Sequence, residues 1–296
     1  MSAAPQQETW TVGRLLTWTT QFFAAKGVEG GRLAAELLLA RALGCRKIEL
    51  YTRYETEPTP EQREAFRELV RLAGQHTPIA YLLGAREFFS LEFKVTPAVL
   101  IPRPETEALV QRAIDLCRAA PDRTLRVLDI GTGSGCIAVA IARYAANCEV
   151  VGSDISPEAL AVARENIERH NLAGRVQTVE ADACALPEEV RGDGFDLIVS
   201  NPPYIPEAVW ATLAPHVRDH EPKLALSPGV EGLEMYRRLA ADAPALLAPG
   251  GRVLVEIGHD QFDSVREIFT AAGWTFCGSH REKTDPYERV LEFSRP

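Results

Sequence analysis

No stretch of this 296-residue chain approaches the ~18 consecutive apolar residues that mark a membrane span. Its first residues, Met1 to Trp10, are polar and lack the basic-then-apolar form of a signal peptide. The six cysteines (Cys45, Cys117, Cys136, Cys148, Cys184, Cys277) include no C-x-x-C pair, so neither a disulfide framework nor a zinc site is expected. Reduced thiols and a cytoplasmic location fit that pattern. His216 and His220 stand four apart, as ligands on one helix face could, but no third ligand follows at motif spacing and no metal is expected. A basic surplus is missing too. The net charge is −9, of which residues 1–76 contribute +1 and the remainder −10. Proteins that hold duplex nucleic acid more often present a basic face, so direct nucleic-acid binding is not expected.

What is present reads as two domains and a joint. Residues 1–76 carry three amphipathic helical patterns. Val12 to Gly27 places Leu15, Leu16, Trp18, Phe22 and Phe23 at helical spacing, and Gly30 to Leu43 is richer still. Thr59-Pro60-Glu61 opens the third, with Thr59 as N-cap and Pro60 at the first helical position. A packing or docking role is expected here, with no chemistry. From Thr77 to Pro104 the pattern changes to a linker in which Phe89, Leu91, Phe93 and Val95 alternate as in a strand or hairpin. Leu100-Ile-Pro-Arg-Pro-Glu-Thr-Glu107 then constrains Arg103 between two prolines, either as a solvated connector or as a loop that closes over a ligand.

Residues 105–296 alternate strands and helices, the pattern of an open α/β sheet. After the strand Arg126–Ile130 comes Gly131-Thr132-Gly133-Ser134-Gly135 and an apolar helix from Cys136 to Tyr144. Glycines in such a turn let a ligand approach the backbone closely. The spacing G-x-G-x-G differs from the dinucleotide G-x-G-x-x-G. A second strand ends at Asp154, 23 residues after Gly131, where a carboxylate can accept hydrogen bonds from both hydroxyls of a ribose. Ser156, Pro157 and Glu158 start the next helix. Val176–Val179 is a third strand, followed by Asp182 and Ala183. A fourth, Phe195–Val199, runs into Ser200-Asn201-Pro202-Pro203-Tyr204. The two prolines remove two donors and stiffen the turn, leaving an amide, bare carbonyls and an aromatic ring that could grip a planar NH2 group. These signals all fall at the C-terminal ends of strands, which such sheets bring to one edge. Beyond them a helix is expected over Leu233–Leu247, a strand over Arg252–Ile257, a helix over Gln261–Ala272 and a closing antiparallel pair.

The segment Val127-Leu-Asp-Ile-Gly-Thr-Gly-Ser-Gly135 resembles S-adenosylmethionine-dependent methyltransferases. Together with Ala35-Glu-Leu-Leu-Leu-Ala40, Pro78-Ile-Ala-Tyr-Leu-Leu-Gly84, the Leu100–Glu107 segment and Asn201-Pro-Pro-Tyr204, nearly the whole chain resembles the release factor glutamine methyltransferases, the PrmC/HemK family. The resemblance implies a Rossmann-like α/β methyltransferase sheet of seven strands with a small all-helical N-terminal domain that helps dock the substrate. It implies S-adenosylmethionine as cofactor, held by Gly131 to Gly135, Asp154, Asp182, Ala183 and Asn201, with Asp182 facing the adenine amine. The substrate would be the glutamine of the Gly-Gly-Gln motif of class 1 peptide chain release factors, methylated at N5 by a monomer. Asn201, Pro202, Pro203, Tyr204 and Arg103 would contact it.

Within this reading the Asn201 side-chain oxygen and the Pro202 carbonyl each accept one N–H of the glutamine amide, while Tyr204 packs against its plane. No strong base stands in the motif, so the proton is expected to leave late, to water. Glu282-Lys-Thr-Asp-Pro-Tyr-Glu-Arg289 departs from the family's glycine-containing turn, which puts any substrate contact there in doubt. Three alternatives share part of the pattern: a ribosomal-protein glutamine methyltransferase, a nucleic-acid adenine N6-methyltransferase, and a docking protein on a disused methyltransferase fold.

Overall fold

A computed structural model describes residues 9–282 and 285–295. The chain divides into two compact units: one runs to Gly84 and includes Pro215–His220, and the other comprises Ala85–Ala214 and the chain from Glu221 onward.

The first unit holds α1 (Val12–Lys26), α2 (Gly31–Leu43), α3 (Glu49–Thr52), α4 (Pro60–Ala73) and α5 (Ile79–Leu83). Local chemistry sets their ends. Thr11 caps α1 by accepting from the Arg14 amide, and Gly27 and Gly44 end α1 and α2 in the left-handed conformation. Thr59 and Gln62 form a reciprocal capping box with Pro60 at the first position of α4. Phe23, Leu38, Leu39, Leu50 and Phe66 make the shared core, each at most 2% exposed. Ile79, Leu82 and Leu83 of α5 pack against the same cluster. Residues 77–84, expected as the start of a linker, lie in the helical unit, against whose core α5 half-buries its apolar residues.

In the second unit, β1 (Ala85–Phe88) and β2 (Leu91–Lys94) form an antiparallel hairpin. Its turn puts both Phe89 (φ 50°) and Ser90 (φ 59°) in the left-handed region, which suits the twist of a two-residue hairpin but strains side-chain-bearing residues. The turn is pinned: Glu107 accepts from the Phe89 amide at 2.9 Å, and the Tyr144 hydroxyl donates to the Phe89 carbonyl at 3.1 Å.

The remaining elements are α6 (Glu107–Arg118), β3 (Leu125–Ile130), α7 (Cys136–Tyr144), β4 (Cys148–Asp154), α8 (Pro157–Arg169), β5 (Val176–Glu180), α9 (Glu188–Arg191), β6 (Phe195–Ser200), α10 (Pro215–Arg218), α11 (Glu234–Asp242), β7 (Leu247–Glu256), α12 (Phe262–Ala271), β8 (Thr275–His280) and β9 (Val290–Ser294). The seven strands lie in the order β5-β4-β3-β6-β7-β9-β8. Neighbours from β5 to β7 pair in parallel, whereas β9 pairs antiparallel with both β7 and β8. Alternate residues feed two apolar layers. Val127, Val199 and Leu254 join α6 and α7 on one face; Leu128, Ile198 and Val253 join α11 and α12 on the other. The helix expected to reach Leu247 stops at Asp242. Pro244 lacks an amide proton, the chain makes a short 3-10 turn over Ala243–Ala245, and β7 begins at Leu247. Edge strand β8 is irregular, with a register shift against β9 between Phe276 and Gly278.

The antiparallel addition is fastened by one carboxylate. Glu292, 1% exposed on β9, receives the Arg112 guanidinium at 2.7 and 3.2 Å, the Arg252 guanidinium, and His280 Nε2 at 3.0 Å. Burial opposes its charge, but these donors outweigh burial and hold the carboxyl far below its ordinary range. A depressed carboxyl stabilises the fold above its unfolded pKa and loses that contribution as pH falls. Glu292→Gln should therefore cost ~3 kcal/mol at neutral pH, and its deficit should shrink as pH drops below ~4, measured by urea unfolding at both pH values.

Candidate active site

Strand register brings the motifs together. Ile130 pairs with Ser153 on one side and Ser200 on the other, and Ser200 pairs with Val255. The next residue on each strand or its exit loop is then Gly131, Asp154, Asn201 or Glu256, four positions in one row. The Ser200 hydroxyl donates to the Ile130 carbonyl at 2.8 Å, tying the two central strands where their loops leave.

Gly131, Gly133 and Gly135 all take positive φ (75°, 54° and 78°). A Cβ on Gly131 would meet nothing within 4 Å, and one on Gly133 only the Gly131 carbonyl at 4.0 Å, so the space above the turn is open to a ligand. The turn's amides are largely spent inside the protein. Gly131 and Thr132 donate to the Ser153 carbonyl, Gly133 donates to Asp154 Oδ2, and Gly135 donates to the Thr132 carbonyl. The glycines thus serve close approach more than donation. Thr132 and Ser134, expected to touch the cofactor, are 3% exposed and lie behind the turn. Thr132 donates to Asp129 at 2.6 Å, while the Ser134 carbonyl accepts from Asn166 at 2.8 Å. Burial pushes the Asp129 carboxyl up to about 7, against the opposing pull of the Thr132 hydroxyl.

A cavity of about 300 Å³ opens beside the turn, and Gly131, Gly133, Asp154, Asp182, Ala183, Asn201 and Pro203 all line it. Asp154 accepts from the Gly133 amide through one oxygen and from the Ser156 amide, 3.0 Å away, through the other. Each oxygen keeps a lone pair, so the pair can still receive two ribose hydroxyls. Asp182 is exposed and shares its Oδ1 with Arg238 at 3.0 Å, leaving Oδ2 for an exocyclic amine. An open glycine cradle, a half-buried acid at the end of β4 and an apolar wall that includes Ile155 and Met235 fit the adenosine and amino-acid ends of S-adenosylmethionine.

Asn201 is half-buried and donates its Nδ2 to Thr106 Oγ1 at 3.1 Å. Pro202 is buried, and Tyr204 packs on the layer that holds α11 and α12. Burial raises the Tyr204 phenol above its ordinary value, so it stays neutral. The Tyr204 carbonyl is pinned by Gln261 Nε2 at 3.1 Å. Gly232 crosses so closely that a Cβ there would fall 2.4 Å from the same carbonyl. The Arg103 guanidinium meets the buried carboxylate of Glu221 at 2.5 Å, and Glu221 also accepts the Ile101 amide at 3.1 Å. Keeping a buried carboxylate charged is costly without a cation close by, and Arg103 supplies one to Glu221. The Leu100–Glu107 segment is thus a brace under the Asn201 loop.

Sequence reasoning missed Glu256, Thr106, Glu221 and Arg238. Glu256 is 1% exposed with one oxygen unpartnered, and burial pushes its carboxyl up to about 7. A carboxylate at the last position of an apolar strand was the available signal. Lys283 and Thr284 of the divergent Glu282–Arg289 segment lie outside the described residues; nearby, Asp285 pairs with Arg289 at 2.6 Å.

Asp154→Asn tests the ribose assignment. Removing the charge should weaken S-adenosylmethionine binding by roughly tenfold to a hundredfold in calorimetry, the worth of charged hydrogen bonds. Unchanged affinity would exclude the assignment.

Comparison with known proteins bears on the same elements. Residues 14–84 match the family model described as the PrmC N-terminal domain, and residues 121–294 match a methyltransferase domain. The release factor glutamine methyltransferase of Geobacter sulfurreducens is 45% identical, over 91% of this chain and 92% of that protein. That of Rhodopirellula baltica is 47% identical over 87% of each, and that of Chlorobaculum tepidum 42% identical over 89% and 91%. Among solved structures, the hMettl16 catalytic domain in complex with MAT2A 3'UTR hairpin 6 superposes with a TM-score of 0.55 over 74% of this chain and 83% of that chain. At 18% identity, that likeness is one of fold alone. Similarity to the curated relatives runs through the helical unit and the sheet alike, and the chain belongs to the release factor glutamine methyltransferase family.

Proposed function

We propose that this chain methylates the N5 side-chain amide of the glutamine in the Gly-Gly-Gln motif of class 1 release factors, acting as a monomer. The observation that carries this reading is the row in which the glycine cradle, Asp154 and Asn201 stand side by side. It sets a holder for a planar NH2 group next to a holder for a methyl donor. S-adenosylmethionine, when bound, supplies a sulfonium methyl group.

The chemical difficulty lies with the acceptor, because an amide nitrogen delocalises its lone pair into its carbonyl. Asn201 Oδ1 and the Pro202 carbonyl each take one N–H of the glutamine amide and orient the nitrogen. Positioning of this kind can lower a barrier by at best ~7–11 kcal/mol. The same two acceptors stabilise positive charge as it develops on nitrogen, and being fixed in advance they need no reorganisation. The Tyr204 ring packs against the amide plane. With no strong base in the motif, the proton leaves late, to water.

The helical unit is the docking part in this reading. A cavity of about 720 Å³ between α1 and α4 is lined by Trp10, Trp18, Phe22 and Phe66, with Arg63 and Arg67 among its walls. Trp18 is 47% exposed and stacks on Phe22 with ring centroids 5.3 Å apart. An exposed tryptophan backed by a half-buried phenylalanine suits contact with a protein substrate.

Three measurements test these assignments. Asn201→Ala should lower kcat on the order of a hundredfold or more with little loss of cofactor affinity, the pattern for a group that acts chiefly on the reacting amide. In parallel assays with labelled S-adenosylmethionine, release factor should be labelled, and ribosomal protein and DNA should not. Trp18→Ala should raise KM for intact release factor by roughly tenfold with kcat retained, while leaving a short Gly-Gly-Gln peptide unaffected. Equal effects on both substrates would remove the helical unit from docking.

A further inference from the structure

Asn201 presents a problem that its identity alone does not solve. An amide side chain has an accepting end and a donating end of nearly the same shape, exchanged by a half-turn about its last torsion. With Oδ1 outward it receives a substrate N–H; with Nδ2 outward it sets donor against donor. Something must choose between the two.

We propose that Thr106 is the positioning residue that makes this choice, and that Glu256 gives the Thr106 hydroxyl its direction. The inference rests on the assignment of a planar NH2 substrate to Asn201. Thr106 is 2% exposed at the junction between the Arg103 brace and α6, and its Oγ1 receives Asn201 Nδ2 at 3.1 Å across 95 residues of sequence. A hydroxyl by itself could donate or accept. Glu256 removes that freedom. It ends β7 one residue beyond Val255, the partner of Ser200, and so stands beside Asn201 in the row of strand ends. Its carboxylate can only accept, and its buried Oε2 has no other partner, which leaves an acceptor for the Thr106 hydroxyl. With its proton committed to Glu256, Thr106 has only lone pairs left for Asn201. The chain then runs one way, from the Asn201 amide to the Thr106 hydroxyl to the Glu256 carboxylate, and Oδ1 is left facing outward. Glu256 is 1% exposed, so an unpartnered oxygen there is costly, and a hydrogen bond from Thr106 offsets that cost.

The chain should respond to pH. A protonated Glu256 donates to Thr106, frees the Thr106 proton for Asn201 Oδ1 and so turns the amide the wrong way. Glu105, Arg103, Arg289, Tyr204, Tyr236 and Cys136 are the charged or titratable groups that bear on it. Burial is the largest influence among them, and the ionisation falls at about 7. Turnover should therefore rise with pH through that region.

The experiment compares wild-type protein with Thr106→Val, Thr106→Ser, Glu256→Gln and the Thr106→Val/Glu256→Gln double variant. For each, kcat and KM are measured with release factor, cofactor affinity is measured by calorimetry, and the Asn201 side-chain amide is followed by NMR. Thr106→Val, equal in shape but without the hydroxyl, should lower kcat by on the order of tenfold to a hundredfold at unchanged cofactor affinity. Thr106→Ser should recover most of the loss. Glu256→Gln should abolish the rise of kcat through neutral pH, and the double variant should be no worse than the poorer single, as expected of groups acting through one another. The Asn201 amide resonances should move in both Thr106→Val and Glu256→Gln. Turnover within about twofold of wild type in Thr106→Val, or no recovery in a folded Thr106→Ser, would overturn the proposal. Additive losses, or a retained pH rise in Glu256→Gln, would remove Glu256 from it. If wild type leaves release factor unmethylated, the substrate assignment fails, and the NMR comparison still decides whether Thr106 and Glu256 orient Asn201.

Discussion

The pairing of β3 with β6, with Ile130 opposite Ser200, is the constraint on which the site depends. Both strands are buried, and each feeds alternate residues to two apolar layers. A slip of one residue would exchange the layers along a whole strand, sending Val199 to the face of Ile198. Register is thus held by the full energy of the core, and the site inherits that precision at no further cost. The loops that leave these strands need only be stiff. Glycines with positive φ shape one, and prolines shape the other. The Ser200 hydroxyl, bonded to the Ile130 carbonyl, joins them at their root.

Buried carboxylates divide the second unit into parts that bear load and parts that are poised. Glu292 and Glu221 have arginines against them, and both fasten segments distant in sequence: β9 to α6 and β7, and the Arg103 brace to the chain beyond the Asn201 loop. Asp129 and Glu256 have hydroxyl neighbours instead, and each is pushed towards neutrality by burial. Fastening calls for full charge with a cation in contact, whereas a group beside a reacting centre gains from being near its ionisation point. The two kinds also differ in place: Glu256 stands in the row of strand ends and Asp129 lies buried against Thr132 of the glycine turn, whereas Glu292 sits among the antiparallel strands.

Much of this was legible in local sequence. Thr59-Pro60 and Ser156-Pro157 announced helix starts because capping is a matter of neighbouring residues, and α7 runs from Cys136 to Tyr144 as its glycine turn and apolar run foretold. The cavity-lining glycines, Asp154 and Asn201 were legible because strand ends and turns carry their own signatures. Long-range pairing was not. The Arg103–Glu221 pair could not be read because the two lie 118 residues apart, and nothing near Glu221 advertises a need for a cation. Thr106 was invisible for the same reason, being an ordinary residue at a helix start until the fold sets it against Asn201. The linker boundary failed at α5 because five residues are too few for periodicity to show that they belong to a helical core.

The irregular edge of the sheet matters for a protein that handles other polypeptides. An exposed strand with regular backbone groups invites any extended peptide to add to it. The register shift between Phe276 and Gly278 interrupts β8, the outermost strand on that side, so its free edge offers no even ladder for a guest to match. Strand addition by an extended peptide is thereby disfavoured along β8. Selectivity for where a peptide binds is in this sense partly a property of the edge that turns it away.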